Sequence, residues 1–485
     1  MRDLLLVDIV PDAGVKNRIL PIGLLSVATY LVQAGYDVEI RTYSPEDITR
    51  FARDLSHDPF LAVGISCVSG FTYPASIEFS RTAKAAAPKS VVILGGQHVR
   101  SLGAMVFADN PHLDVLVTGE GEIATKAILD KLRRREKIGC SLGAISRDGE
   151  ALATGPDAPP LDLDQLPPIQ HELYPGYRDL IPIVEESRNC PHSCRFCNNA
   201  GLQGSRWRTK SYARIIQEVA RTQEVYGSDN LLVILGGSTF GVDAVNTRRL
   251  FERMRKEITP PKLQIYTRVD VPWHMYIDRM ADYEFQSVFF GIESASTKML
   301  RIMNKTSAPA EYVRRAEEAL REFSVRGIPV WANFIIGYIG ESPATLRETL
   351  HFALTNQERL KLLTGSCLKA YPGSYIYENM ADLEEVYGAS LVVDDESRSR
   401  RYFKVTPSRD LTYEEADTVG RVLSKIVNTE RNYFDIYMPQ YVGYGRTDAM
   451  IRDYLAANEP LEQRRYALPS GPHKEEDTQW SESQS

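Results

Sequence analysis

Twice along this chain, short apolar runs alternate with longer amphipathic stretches, and that alternation narrows the possible folds more than any other feature. In the first block the apolar runs are 4–9, 38–42, 61–66, 91–94 and 115–118, with helical patterns such as 22–33 and 73–87 between them. Continuous apolar runs spaced by helices form parallel strands covered on both faces. The block therefore predicts one doubly wound parallel sheet of Rossmann type, residues 1–138. Ligands of such sheets bind at the carboxyl ends of the strands. The loops there are 10–21, 67–72, 95–98 and 119–122, three of them rich in glycine or small polar residues that let a backbone approach a bulky ligand. The second block, 181–377, has strand candidates 181–187, 231–235, 263–267, 287–290, 330–336 and 366–370, with helices expected at 212–226, 243–257, 273–282, 311–326 and 343–354. Six such steps predict a partial (β/α)6 barrel. Between the blocks, 139–180 reads as a linker with a hairpin turning at Arg147-Asp148-Gly149-Glu150, then a Pro- and Asp-rich stretch. Beyond the barrel, 378–469 is expected to be a mostly helical C-terminal cap, with helices at 413–427 and 450–456, and 470–485 a polar disordered tail.

Composition excludes several functions. Hydrophobic residues make up 43% and charged residues 25% of 485, which is ordinary globular usage and enough for a large core. A net charge of −7 gives no basic footprint for nucleic acid. No apolar run reaches the roughly 18 residues that span a bilayer. The first dozen residues read as a buried strand rather than a leader. Six cysteines are too few and too unevenly placed for a disulfide framework, which points to a reducing, cytoplasmic compartment. Cys67, Cys140 and Cys367 carry no motif and are expected to be free thiols.

The other three form Cys190-Pro-His-Ser-Cys194-Arg-Phe-Cys197, directly after the first predicted barrel strand. Three thiolates at these gaps can wrap one soft metal centre. A structural zinc site needs four closed ligands, and the nearest fourth, His192, lies inside the loop and would strain it. A [4Fe–4S] cube on three cysteines leaves one iron open. The same loop, with an aromatic residue before the third cysteine, resembles that of the radical S-adenosylmethionine (SAM) enzymes. The resemblance continues at each strand end. Leu235-Gly236-Gly237-Ser238 is similar to the family's GGE segment, with Ser238 in place of Glu. Phe290-Gly291-Ile292-Glu293-Ser294 is similar to GIES, and Ile336-Gly337-Tyr338-Ile339-Gly340-Glu341-Ser342 to a G-x-P-G-E-T turn with Ile339 in place of Pro. Tyr371-Pro372-Gly373-Ser374 resembles the segment closing such barrels. The resemblance implies that Cys190, Cys194 and Cys197 hold a catalytic [4Fe–4S] cluster. It also implies that Phe196, Gly236, Gly237, Ser238, Glu293, Ser294 and Gly337 line SAM. Arg268, placed by its position at the barrel mouth, is a candidate contact to SAM or substrate.

The order of sheet domain, linker and barrel resembles the cobalamin-binding subclass of that family. Pro21-Ile22-Gly23-Leu24, Gly64-Ile65-Ser66, Leu94-Gly95-Gly96-Gln97-His98 and Val117-Thr118-Gly119-Glu120-Gly121-Glu122 carry this likeness. It implies that Ser66, Ser69, Gly95, Gly96, Gln97, His98, Gly119 and Glu120 surround a corrin. The D-x-H-x-x-G motif that supplies histidine to cobalt elsewhere is absent, so no histidine is expected on the metal. A degenerate sheet domain that only buries the barrel is the alternative.

Other signals are plainer. Arg133-Arg134-Arg135 suits the last turn of a helix. Arg206-Trp207-Arg208 could steer an anionic substrate or form a structural stack, and Tyr433-Phe434-Asp435-Ile436-Tyr437 could be core or lid. The family implies a radical SAM enzyme, foremost a cobalamin-dependent methyltransferase acting on an unactivated carbon of a small molecule or lipid. The alternative is a rearrangement, cyclisation or coupling without methyl transfer. It implies an electron donor such as flavodoxin or ferredoxin, no nucleic-acid partner, and a monomer or weak oligomer. A non-catalytic cobalamin or metal sensor would not need the loops that contact SAM.

Overall fold

The computed structural model describes residues 2–10, 18–198 and 206–427. Its first sheet is built from strands β1 (Arg2–Ile9), β2 (Val38–Tyr43), β3 (Phe60–Ser66), β4 (Val91–Gly95) and β5 (Val115–Val117), all parallel. Their spatial order is β2-β1-β3-β4-β5. Alternation along each strand feeds two separate cores. Leu5, Val7, Ile9, Val63, Ile65, Val92 and Leu94 pack with Phe51 and Phe79 on one face. Leu4, Leu6, Ala62, Ile93, Val115 and Val117 pack with Leu25, Leu31 and Ile128 on the other. Burying both faces is why these runs are apolar throughout instead of alternating with polar residues. The strand order reverses between β1 and β3, the place where open α/β sheets bind ligands.

The expected hairpin is present as β6 (Ala144–Asp148) and β7 (Ala151–Thr154), and it has a role the sequence did not reveal. β6 pairs antiparallel with β5, so the hairpin extends the first sheet to seven strands. The following Pro-rich stretch runs back along that domain. Gln170 N–H donates to Thr29 Oγ1 at 3.1 Å, and Tyr174 Oη donates to Asp8 at 2.6 Å.

The second sheet contains β8 (Ile183–Glu185), β11 (Leu232–Gly236), β12 (Lys262–Thr267), β13 (Phe285–Glu293), β14 (Val330–Ile336) and β15 (Leu362–Cys367). A two-stranded ribbon of β9 (Ser187–Arg188) and β10 (Arg208–Thr209) sits beside β8. The six strands are parallel and lie in the order β15-β14-β13-β12-β11-β8, as expected of a partial barrel. Phe334 packs on Phe352 and Phe290 on Phe323, both in flanking helices. Their strand neighbours Asn333 and Phe289 consequently face the barrel interior. The sixth strand begins at Leu362, earlier than the expected 366–370, and the expected helix 273–282 breaks into two short turns, Trp273–Met275 and Ile277–Met280.

After the barrel, β16 (Lys369–Ala370), β17 (Ser390–Val392) and β18 (Phe403–Thr406) form a three-stranded antiparallel sheet in a region expected to be mainly helical. The helix Tyr413–Val427 follows as expected and lies against β15. Gly365 and Gly420 meet there: a Cβ on Gly365 would stand 2.6 Å from the Gly420 carbonyl oxygen. The expected 450–456 helix, the 433–437 aromatic segment and the 470–485 tail lie outside the described residues. No helix among the described residues is long and apolar enough to cross a membrane.

Candidate active site

The cysteine loop leaves the barrel through β8 and β9. It is pinned from below by the turn after the helix Thr297–Ile302. Arg195 N–H donates to Met303 O at 2.9 Å, and Asn304 Nδ2 donates to Ser193 O at 2.9 Å and Ser193 Oγ at 3.0 Å. Cys194 is 6% exposed, and its Sγ accepts a hydrogen bond of 3.2 Å from Arg268 Nη1. Cys190 Sγ lies 3.4 Å from Thr239 Oγ1, which itself donates to Ser238 O at 2.7 Å. Among the described residues, no three His, Cys, Asp or Glu side chains converge as ligands of a single ion. A [4Fe–4S] cube takes one thiolate at each of three separate irons, so it does not require three side chains to converge on one ion. His192 remains neutral down to about 4, because burial disfavours its charged form.

Arg268, expected at the barrel mouth, touches the cysteine loop there and is held by other protein groups. Its Nε and Nη2 form a fork on the Asp270 carboxylate, both at 2.7 Å, and Nη2 also donates to Lys305 O at 2.5 Å. Lys305 in turn pairs with Glu293 at 3.1 Å, and its Nζ lies 5.5 Å from the centre of the Phe196 ring. Glu293 sits at a β-bulge with φ +70°, a conformation rare for a non-glycine residue. Its other oxygen accepts from Asn333 Nδ2 at 2.8 Å, and Asn333 Oδ1 accepts from Thr364 at 2.7 Å and Ser366 at 3.2 Å. A polar chain therefore crosses the barrel interior from β13 to β15.

Of the other residues expected at SAM, Ser294 turns away. It is fully buried and shares a 2.9 Å hydrogen bond with Thr349 in the helix Pro343–Thr355. Gly337 (φ +75°) lies under Ala416, whose Cβ would be 2.6 Å from an added side chain. Phe196 meets Tyr338 edge-on at 6.4 Å. Gly237 faces two buried groups without hydrogen-bond partners, Ser187 Oγ and Glu186 Oε2, the second 3.2 Å from where its Cβ would stand. Burial pushes the Glu186 carboxyl up to about 7. Orphaned polar atoms beneath a bare backbone turn suit a polar ligand end, the role implied for the GGE-like segment.

The loops of the first sheet pack across this mouth. Glu120 pairs with Arg208 and with Arg188 (3.2 Å), and Arg188 also donates to Glu122 at 2.8 Å, Glu185 at 2.9 Å and Ser26 at 3.1 Å. Arg208 is thus an inter-sheet tie, not a substrate guide. A Cβ on Gly70 would enter the Tyr402 ring, and one on Gly373 would come within 2.7 Å of Ser101 O. Three residues expected at a corrin are committed to protein contacts. Glu120 is ion-paired. His98 is 2% exposed between Tyr73 (5.3 Å) and Tyr371 (5.9 Å). Gly96, at φ +111°, is pressed on Cys67, whose carbonyl oxygen would be 2.5 Å from a Cβ. Ser66, Ser69, Gly95 and Gly119 are half-buried at the strand ends, Gln97 is exposed, and Val68 is 64% exposed beside them.

Comparison with known proteins agrees with this two-part layout. The B12 binding domain family matches residues 10–129, and the Radical SAM superfamily matches residues 184–353. The chain is a radical SAM enzyme with a B12-binding domain. This enzyme is 25% identical over 414 residues to an uncharacterized methyltransferase of Pyrococcus horikoshii, covering 84% of this chain and 86% of that one. It is 24% identical over 441 residues to the anaerobic magnesium-protoporphyrin IX monomethyl ester cyclase of Cereibacter sphaeroides, covering 85% and 65%. Its fold matches the radical SAM methyltransferase TsrM of Kitasatospora setae, solved with cobalamin and a [4Fe–4S] cluster bound. That match has a TM-score of 0.71 at 14% identity and covers 88% and 89% of the two chains.

Asp270, Lys305, Thr239, Glu186 and Arg188 belong to no motif.

Proposed function

We propose that this radical SAM enzyme is a cobalamin-dependent methyltransferase that methylates an unactivated carbon of a small molecule or lipid. One observation carries the reading: a three-cysteine loop, braced by a buried guanidinium, lies at a barrel mouth across which the ligand loops of a B12-binding sheet pack. Cys190, Cys194 and Cys197 would hold the [4Fe–4S] cluster. Gly236, Gly237 and Ser238 would receive the methionine end of SAM, with Glu293, Phe196 and Gly337 lining the rest. Ser66, Ser69, Gly95, Gln97 and Gly119 would edge the cobalamin. When bound, the cluster supplies the electron that cleaves SAM, and the corrin carries the methyl group.

The chain's own residues do the rest. Hydrogen bonds from Arg195 and Asn304 fix the cysteine loop. Gly237 leaves backbone bare where a ligand end can enter. Around the loop the buried charges of Arg268 and Lys305 are matched, by Asp270 and by Glu293, in a buried surround. Such a surround keeps water from a reactive radical. The single electron would come from an outside donor of the flavodoxin or ferredoxin class, and oxidation-prone thiols favour a reducing, cytoplasmic setting.

The test is anaerobic reconstitution with iron, sulfide and hydroxocobalamin. About four irons per chain are expected, as a three-cysteine cube requires, with one cobalt. SAM and dithionite should then yield 5′-deoxyadenosine. The triple variant Cys190→Ala, Cys194→Ala, Cys197→Ala should lose both iron and cleavage; iron retained at the wild-type level would overturn the assignment. The cyclase among the relatives favours a second reading, radical chemistry without methyl transfer. It would be indicated by 5′-deoxyadenosine release from protein that takes up no cobalamin.

A further inference from the structure

We infer that Arg268 sets the reduction potential of the centre held by Cys194, an inference that rests on the cluster assignment above. The geometry leaves Arg268 little freedom. Its Nε–Nη2 edge is occupied by the two oxygens of Asp270, and Nη2 is further held by Lys305 O. The guanidinium also lies 5.9 Å from the centre of the Tyr312 ring, and Tyr312 Oη is anchored on Gly291 O at 2.9 Å. Only Nη1 remains, and it points at Cys194 Sγ from 3.2 Å. Arg268 is 5% exposed and Cys194 is 6% exposed, so water screens this contact weakly.

A guanidinium stays charged at any physiological pH. Placed on a ligand sulfur, it favours whichever cluster state carries more negative charge, which is the reduced one. Hydrogen bonds to cluster sulfur and local net charge are the levers by which proteins move such potentials. Asp270 works against Arg268. It holds the donor in place while its own charge, on the far edge of the guanidinium, offsets part of the effect. The two residues should therefore move the potential in opposite directions, whereas simple loosening of the loop would move both variants the same way.

The experiment is an electron paramagnetic resonance redox titration of full-length, iron-reconstituted protein with dithionite and mediators, without SAM. Arg268→Gln should keep its iron and lower the midpoint. The expected size is roughly tenfold in the reduced-to-oxidised ratio at a fixed potential, equal to about 59 mV for one electron. Asp270→Asn should raise the midpoint. An unchanged midpoint in iron-loaded Arg268→Gln overturns the inference. If Arg268→Gln fails to load iron, Asp270→Asn decides: a rise supports the inference, and no change or a fall overturns it. Wild-type protein that holds no cluster would instead overturn the proposed function, so the two failures are distinguishable.

Discussion

Arg188, two residues before Cys190, donates to Glu122 of the B12-binding domain at 2.8 Å, with both side chains almost wholly buried. Glu120, Glu185 and Ser26 complete the guanidinium's shell. Removing one partner of such a pair strands the other charge in a dry setting. Arg188→Met is therefore expected to cost about 3–5 kcal/mol, and adding Glu122→Leu should recover part of it. Urea unfolding at neutral pH measures both. Burial alone would raise the Glu122 carboxyl, but the charge and hydrogen bond of Arg188 outweigh it and the net shift is downward. Its stabilisation is thus complete above the unfolded value of about 4.3 and fades as pH falls below that toward the depressed folded value.

His98 gives a pH signature of the same direction from the opposite charge type. Burial lowers its pKa from 6.5 to about 4, so the native state resists a proton that the unfolded chain accepts. Stability should fall as pH drops from 6.5 toward 4, by on the order of 3 kcal/mol at 1.36 kcal/mol per pH unit. His98→Phe should flatten that slope and leave the cob(II)alamin resonance spectrum unaltered. A new nitrogen splitting in wild type that vanishes in His98→Phe would place the imidazole on cobalt instead.

The six thiols should separate by reagent. Cys140 is exposed, and it should alkylate first in cluster-loaded protein. Cys67 is held protonated by burial, its pKa pushed up to about 11, and burial also raises Cys367. Cys67 should label only on unfolding, Cys367, which is half-buried, should label after Cys140, and replacement of either by Ala should leave the iron content unchanged. Mass spectrometry after iodoacetamide treatment at pH 8 reads this order.

Two residues of the SAM-like segments should behave differently. Ser294→Ala removes a buried hydrogen bond to Thr349 and should cost about 1 kcal/mol of stability with SAM affinity unchanged. Gly237→Ala drives a methyl group toward Ser187 and Glu186 and should weaken SAM binding about tenfold, which is about 1.4 kcal/mol within the usual cost of overpacking. Anaerobic equilibrium dialysis with labelled SAM separates the two.

Much of the fold was legible because strands buried on both faces must be apolar. The same rule explains the misplaced sixth strand. Thr364 and Ser366 face the polar barrel interior, and Gly365 abuts Gly420, so β15 lacks the aliphatic run that marks β1 or β14. The antiparallel sheet after the barrel escaped notice because its strands are two to four residues long. At the site, motifs located the loops but not the side chains' commitments. Nothing in the spacing of Arg268, Asp270 and Lys305 shows that the last two hold Arg268 against Cys194, and Glu120 and Ser294 look like ligand contacts until their partners in distant elements are seen.

The linker hairpin has a practical consequence for cutting the protein into pieces. β5 is three buried apolar residues, and only β6 covers its outer backbone. A fragment ending after the helix Gly121–Arg133 would present that strand with unpaired N–H and C=O groups, a template for joining another chain. β7, by contrast, is four residues long and largely solvent-facing, a blunt border that invites little pairing. Fragments carried through Thr154 should therefore stay dispersed where shorter ones precipitate, and light scattering of the two would tell them apart.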